Sequence, residues 1–253
     1  MSYEIWKHLA TASTDGPSCA LVTITQSKGS TPQGAGAKMV VQADGEIIGT
    51  IGGGAVEYRA IQEAKKSIQD GKNQMLQLNL THHLGMCCGG VVHILIEVIK
   101  PVERLYIEGA GHVGLALAKL CLNLDFQVTL VESRIDFVDE DQIQDFTFIE
   151  KHPVRFLQKE KIFDNAYHFI TTHEHALDFD ILHCLLPCET RYLGMIGSKT
   201  KRRQFQKRFE VAGVDMTLMQ RLFTPAGLEI GGQTPNEIAV SIAAQLIQTR
   251  YQR

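Results

Sequence analysis

The chain has 253 residues, 44% of them hydrophobic and 21% charged, with a formal net charge of −3. That length accommodates two ordinary domains, and that composition supports an apolar core. The near-neutral balance argues against nucleic-acid binding, which needs a basic stripe, and no apolar run approaches the roughly 20 residues of a membrane-spanning helix.

The start of the sequence shows no basic-then-apolar leader pattern. The expected location is therefore the reducing cytoplasm, and the six cysteines are expected as free thiols rather than bridges. Tyr3 to Ala12 reads as a short amphipathic helix, closed by a turn around Gly16 and Pro17. Cys19 to Thr25 is apolar and β-branched, hence a strand. A loop follows that contains Gly34 and Gly36, with Lys38 just beyond it. Lys38 to Gln42 and Glu46 to Thr50 form a hairpin turned at Asp44 and Gly45. Gly52, Gly53 and Gly54 make a second loop before a helix from Ala55 to Gln69, which Gly71 ends. Gln74 to Leu80 is a strand, Thr81 to Gly90 a third glycine loop, and Val91 to Ile99 another strand.

Close-set glycines let backbone amides converge on an anion at little steric cost. The three loops are therefore candidate anion sites, and Lys38 adds a positive charge. In the third loop Cys88 lies next to Gly89 and Gly90. Its thiol is either a ligand for a soft metal or a sulfur carrier, or a buried cysteine in a tight turn. Glu57 faces a ligand or is a first-turn acid favoured by the helix dipole.

Beyond Pro101 strands and helices alternate, which implies a parallel sheet covered on both faces. The expected architecture is α/β: a mixed α+β domain over residues 1–100, then a Rossmann-type doubly wound domain over 101–253. Arg104 to Glu108 is a strand, Val113 to Leu122 a helix, and Gln127 to Glu132 a strand. Further strands are expected at Ala166 to Thr171 and Tyr192 to Ile196, and helices at Asp178 to Leu186 and Ser198 to Val211. A last helix runs from Pro235 to about Gln248, with Thr234 as its N-cap and Glu237 completing a capping box. Its apolar face packs in this domain or folds back on the first.

Gly109, Gly111 and Gly114 follow a buried strand and open an apolar helix, and Glu132 closes the next strand. This is the dinucleotide-binding pattern: Gly109 for the turn, Gly111 for approach of a pyrophosphate, Gly114 for helix packing, and Glu132 for a ribose hydroxyl. Glycines kept for packing alone would look the same. His112 lies inside the loop. His173 and His175 follow a strand at the sheet edge where ligands of open α/β sheets bind. Ser198 and Lys199 begin a basic helix start that meets an anion or is a solvated face. Cys121 reads as core, and Cys184 and Cys188 as a helix end.

Taken together, these motifs resemble the XdhC/CoxI family over nearly the whole chain. The resemblance rests on the stretches Gly29 to Gln33, Gly34 to Met39, Gly49 to Gly54, Cys88 to Gly90, Gly109 to Val113, Thr172 to Asp178, Tyr192 to Lys199, Pro225 to Gly231 and Thr234 to Ile242. The resemblance implies a maturation factor for xanthine dehydrogenase and related molybdenum hydroxylases, a chaperone rather than a metabolic enzyme. Such a protein binds molybdenum cofactor (molybdopterin) while a cysteine desulfurase supplies sulfur, then delivers it to the apo-hydroxylase. It also implies a homodimer, and Cys88 as the thiol near molybdenum. Cys87 and the pair Gly232-Gln233 depart from the family pattern. The alternatives from the residues are an NAD(P)-dependent oxidoreductase, with His173 or His175 as general acid, or a nucleotide-sensing Rossmann module.

Overall fold

The computed structural model of the chain describes residues 2–14, 16–80, 90–134, 145–159 and 166–252. The chain divides into two units, residues 1–102 and 103–253.

The first unit contains helix α1 (Ser2–Thr14), strands β1 (Cys19–Lys28), β2 (Lys38–Gln42) and β3 (Ile47–Gly49), helix α2 (Gly54–Asp70), and strands β4 (Gln74–Asn79) and β5 (Val91–Ile99). The strands form one antiparallel sheet in the order β3-β2-β1-β5-β4. β1 is apolar at successive positions because both its faces are covered. Ala20, Val22 and Ile24 pack under Val56, Ala60 and Ala64 of α2. Cys19 and Leu21 pack under Ile5, Leu9 and Ala12 of α1. β1 also runs three residues past the expected Thr25, through a bulge between Ile24 and Gln26, because pairing with β5 holds polar residues in extended form.

The second unit contains β6 (Glu103–Glu108), α3 (His112–Leu122), β7 (Phe126–Glu132), β8 (Thr147–Glu150), α4 (Pro153–Lys159), β9 (Tyr167–Ile170), α5 (His175–Leu185), β10 (Tyr192–Met195), α6 (Lys199–Val211), a 3₁₀ turn (Met216–Arg221), β11 (Leu222–Phe223) and α7 (Pro235–Tyr251). Its six strands are all parallel, in the order β8-β7-β6-β9-β10-β11. With β6 counted first this is the 3-2-1-4-5-6 order of the doubly wound Rossmann sheet. One core joins the sheet to Leu117 and Cys121 of α3 and Ile242 and Leu246 of α7. The other joins it to Phe156 of α4, Ile181 of α5 and Phe205 of α6.

The apolar face of the final helix packs within the second unit. Ala239, Ile242, Ala243 and Leu246 are taken up by the second unit's own core, and near the C-terminus Arg250 donates to Glu103 and to the Leu124 carbonyl. At the helix start Thr234 accepts from the Glu237 amide while Glu237 accepts from the Gln233 and Thr234 amides, closing the expected capping box. β8, α4 and the 3₁₀ turn escape the sequence reading because each is short. β8 has only part-buried and exposed positions, so its apolar pattern is weak. Losing the cap, Thr234→Ala is expected to lower unfolding stability by about 1 kcal/mol. An unchanged midpoint in urea would mean that α7 is held by packing alone.

Candidate functional site

In an open α/β sheet the ligand crevice lies outside the carboxyl ends of the strands, where the strand order reverses. Here that point is between β6 and β9, which pair side by side. The loop after β6 begins at Gly109, whose φ of +123° suits glycine. A Cβ there would lie 2.3 Å from the Thr171 carbonyl oxygen at the end of β9, and a Cβ at Gly114 would lie 2.2 Å from the Gly109 oxygen. Both glycines are therefore explained by close packing within the chain. Gly111 is not: its φ of −68° suits any residue, and a Cβ there would meet nothing within 4 Å. Gly111 borders open ground, beside amides at the start of α3 that have no intrahelical acceptor. His112 is exposed at the same place.

Glu132, expected to meet a ribose, is turned inward. It is buried. Its Oε2 accepts from the Ala110 amide at 3.3 Å and from Arg134 Nη2 at 3.2 Å. Its Oε1 accepts from the amides of Ser133 and Arg134 and from Arg134 Nε. Five donors fill the roughly four lone-pair positions of a carboxylate. Burial alone would raise its pKa, but the hydrogen bonds from Arg134, Ala110 and the Arg134 amide hold it below the ordinary 4.5. Glu132 thus fastens the second residue of the glycine loop.

Asp178 does the same for the loop after β9. It lies in the first turn of α5, where Glu174 is the N-cap. Its Oδ1 accepts from the Thr172 amide at 3.1 Å and the Thr172 hydroxyl at 2.6 Å. Its Oδ2 receives Lys201 Nζ at 2.5 Å, and Lys201 also donates to the Ile196 carbonyl at the end of β10. Lys201 is buried. It is therefore not part of a solvated basic face, and Arg202 is also engaged, with the carbonyls of Met219 and Leu222. Ser198 caps α6 through the Lys201 amide. Lys199, His173 and His175 stay exposed. The loops after β6 and β9 thus meet at the crevice, as the contact of Gly109 with Thr171 requires.

One buried pair lies outside every sequence expectation. Glu108 and His168, on adjacent strands, are both sealed from solvent and lie 2.8 Å apart through Oε1 and Nδ1. Tyr106 stacks on the His168 ring at 5.0 Å. Burial pushes the Glu108 carboxyl up, and His168 opposes this. Glu108 Oε2 and His168 Nε2 have no hydrogen-bond partner among the described residues. The sequence signal was a histidine inside the apolar run of Tyr167 to Ile170 and an acid closing a central strand.

In the first unit the first and second glycine loops touch, since a Cβ at Gly52 would lie 2.6 Å from Pro32 Cβ. Gly90, at the end of the third, abuts the Ser30 carbonyl in the same way, at 2.5 Å. The amides of the second loop are partly spent. Glu57 Oε2 accepts from the Thr50 hydroxyl at 2.5 Å and from the amides of Ile51 and Gly53. Burial would raise its pKa, yet these bonds hold it below its ordinary value. The acid thus takes the place an anion would have at the start of α2, and Glu57 is a cap rather than a ligand contact. Gly34, Gly36 and Gly54 are exposed, and Lys38 and Gly53 are half-buried. Cys88 and Gly89, with Cys87, lie outside the described residues. Among the described residues no cluster of histidine, cysteine, aspartate and glutamate could hold a metal ion, and no helix is long and apolar enough to cross a membrane. Cys121 is core, its thiol pushed by burial to about 12.

Residues 105–246 match the model of the XdhC Rossmann domain, and residues 12–79 that of the XdhC and CoxI family. The uncharacterized protein YqeB of Escherichia coli is 30% identical over 236 residues, which are 91% of this chain and 43% of that protein. A probable xanthine dehydrogenase subunit of Bacillus subtilis is 28% identical over 189 residues, 72% of this chain and 52% of that one. The chain therefore spans about half the length of the curated relatives it matches. A crystal structure of a xanthine dehydrogenase from Bacillus halodurans is 24% identical, with a TM-score of 0.56 over 98% of this chain and 96% of that one, and shares the fold.

The bonding of Glu132 gives a signed pH prediction. Its carboxyl is lowered in the folded state, so its contribution is full above the unfolded value near 4.5 and is lost as pH falls through the folded value. Glu132→Gln is expected to cost about 1.5–3 kcal/mol at neutral pH. The gap in melting temperature from the parent should narrow as the solution is acidified below that range. A gap independent of pH would show that the charge is not what fastens the loop.

Proposed function

Because the chain belongs to the XdhC and CoxI family, we propose that it is a molybdenum-cofactor-binding chaperone. In this reading it holds the cofactor while a cysteine desulfurase supplies the terminal sulfur. It then hands the cofactor to a xanthine dehydrogenase-type apo-hydroxylase, working as a cytoplasmic homodimer. The cofactor is cargo, bound and passed on without being consumed. The name of the Bacillus subtilis relative supports a client of that class.

The observation that carries the reading is the open ground at Gly111, which the chain's own packing does not explain. Anionic groups suit that place, because the free amides at the start of α3 and its dipole favour negative charge. His112 borders it. Ser198 and His173, on loops at the same carboxyl edge, and Lys199, which opens α6, are the other residues that would meet the cargo. The second unit's loops are fastened before binding by Glu132 and Asp178, which lowers the ordering cost of association. Within the first unit, Gly34, Gly36 and Lys38 are proposed as cofactor-binding residues. Cys88 is assigned the metal or sulfur.

A second reading, a nucleotide site for NAD(P), draws on the same Gly111 opening and the 3-2-1-4-5-6 strand order. It loses support from Glu132, whose lone pairs are already filled.

The test is purification from cells that make molybdenum cofactor, followed by metal and pterin analysis. Molybdenum and pterin should co-purify in equimolar amounts with the chain. Gly111→Val, which fills the open ground, and Cys88→Ala should each lower the retained amount by about tenfold, the size of one lost charge-assisted contact. NAD in equimolar amount without molybdenum would overturn the carrier in favour of the nucleotide reading. Equal retention by Cys88→Ala and the parent would remove the thiol from the assignment.

A further inference from the structure

Of the thirteen residues of α6 (Lys199–Val211), six are basic and one is acidic. Lys201 and Arg202 are engaged inside the second unit, and Lys199 opens the helix at the crevice edge. Arg203, Lys207 and Arg208 remain, and all three are exposed. We infer that the outer face of α6 from Arg203 to Val211 is a docking surface for an acidic protein segment. The inference stands on the chemistry of that face and does not require the carrier reading.

The charges of this face are unmatched. Among the described residues no carboxylate pairs with Arg203, Lys207 or Arg208. The one acid of the helix, Glu210, accepts from the Gln206 side-chain amide instead. Like charges four residues apart, as at Arg203 and Lys207, are unfavourable in a helix. The chain's own α2 shows the other arrangement: Arg59 pairs with Glu63 four residues on, at 2.7 Å. A solvated helix face interleaves its signs in that way. The outer face of α6 does not, and an acidic partner supplies the missing sign.

Arg208 is also held in place. Its guanidinium lies 3.7 Å from the centre of the Phe179 ring, and that ring stacks on Phe209 at 4.2 Å, part of the second unit's core. An arginine fixed on an aromatic face keeps its forked donors for a carboxylate and has little left to order. Past the cations, Val211 is 91% exposed, the highest value among the described large hydrophobics. Arg203, Lys207 and Val211 recur every four residues, which places them in one stripe about 12 Å long. Cations strung along a stripe fit an extended acidic segment that ends in an apolar residue, whereas a single small anion needs them to converge. Nucleic acid and anionic membranes call for a broad basic field, and this chain has a net charge of −3.

Fluorescence anisotropy on the full chain tests this, with a labelled peptide of glutamates ending in leucine as the probe. The peptide should bind saturably, and more weakly as salt is raised. The same peptide with glutamine in place of glutamate should not bind. Arg203→Glu combined with Lys207→Glu should weaken binding about tenfold, while Arg203→Lys alone should keep most of it. All of these substitutions place good helix formers at exposed positions, which guards against a folding defect. Val211→Ser should weaken this peptide and leave one without the leucine unchanged. No saturable binding would overturn the inference, and so would equal affinity in the charge-reversed variant and the parent. Duplex DNA of matched charge that displaces the peptide at lower concentration would overturn it in favour of nucleic acid. The charge-reversed variant should also retain molybdenum as the parent does. If it lost molybdenum together with the peptide, this face would belong to the cargo site and the inference would fall. A parent that binds the peptide but holds no molybdenum would remove the carrier reading alone.

Discussion

A carboxylate taken out of water must find donors, or its burial costs several kcal/mol. For three acids of this protein the donors include loop amides. Glu132 takes the amide of Ala110, Asp178 that of Thr172, and Glu57 those of Ile51 and Gly53. Each acid sits on a strand end or a helix start, the most rigid place near its loop. The result is loops whose backbone amides are held from within the chain. Lys201 extends the device by joining Asp178 to the end of β10.

That constraint separates two kinds of backbone at the crevice. Amides turned on an internal acid are part of the scaffold and are not available to a ligand. Among the described residues the amides at the start of α3 have no such acid, and beside them Gly111 borders open ground. The same separation holds in the first unit, where Glu57 spends the second loop while the backbone at Gly34 and Gly36 stays clear. Negative charge supplied from within thus uses up some of the loop amides, and the proposed cargo is assigned to the others. Under the proposed carrier role such loops are an advantage, since little ordering would accompany each exchange.

Much of the architecture was legible in the sequence because it rests on local signals. Apolar runs and glycine punctuation give β1, α2, β5 and the glycine turn before α3 within a few residues. The capping box at Thr234 is a local code and appears as read. The errors share a cause, since each depends on partners that no local pattern specifies. Glu132 fits a ribose acceptor by spacing alone, and its partner two residues on, Arg134, decides otherwise. Lys201 looks solvated until Asp178, 23 residues earlier, is placed beside it. Glu108 and His168 are 60 residues apart, and only the strand order makes them neighbours.

Loop amides held by internal acids, beside free amides at Gly111, are the distinction on which everything else turns. Site-resolved amide hydrogen exchange on the ligand-free chain reads this directly. The amides of Ala110, Thr172 and Gly53 should exchange slowly, and those of Gly111 and His112 at the rate of open loops. Equal, fast exchange at all five positions would contradict the account, because the acids would then not be fastening the loops at all.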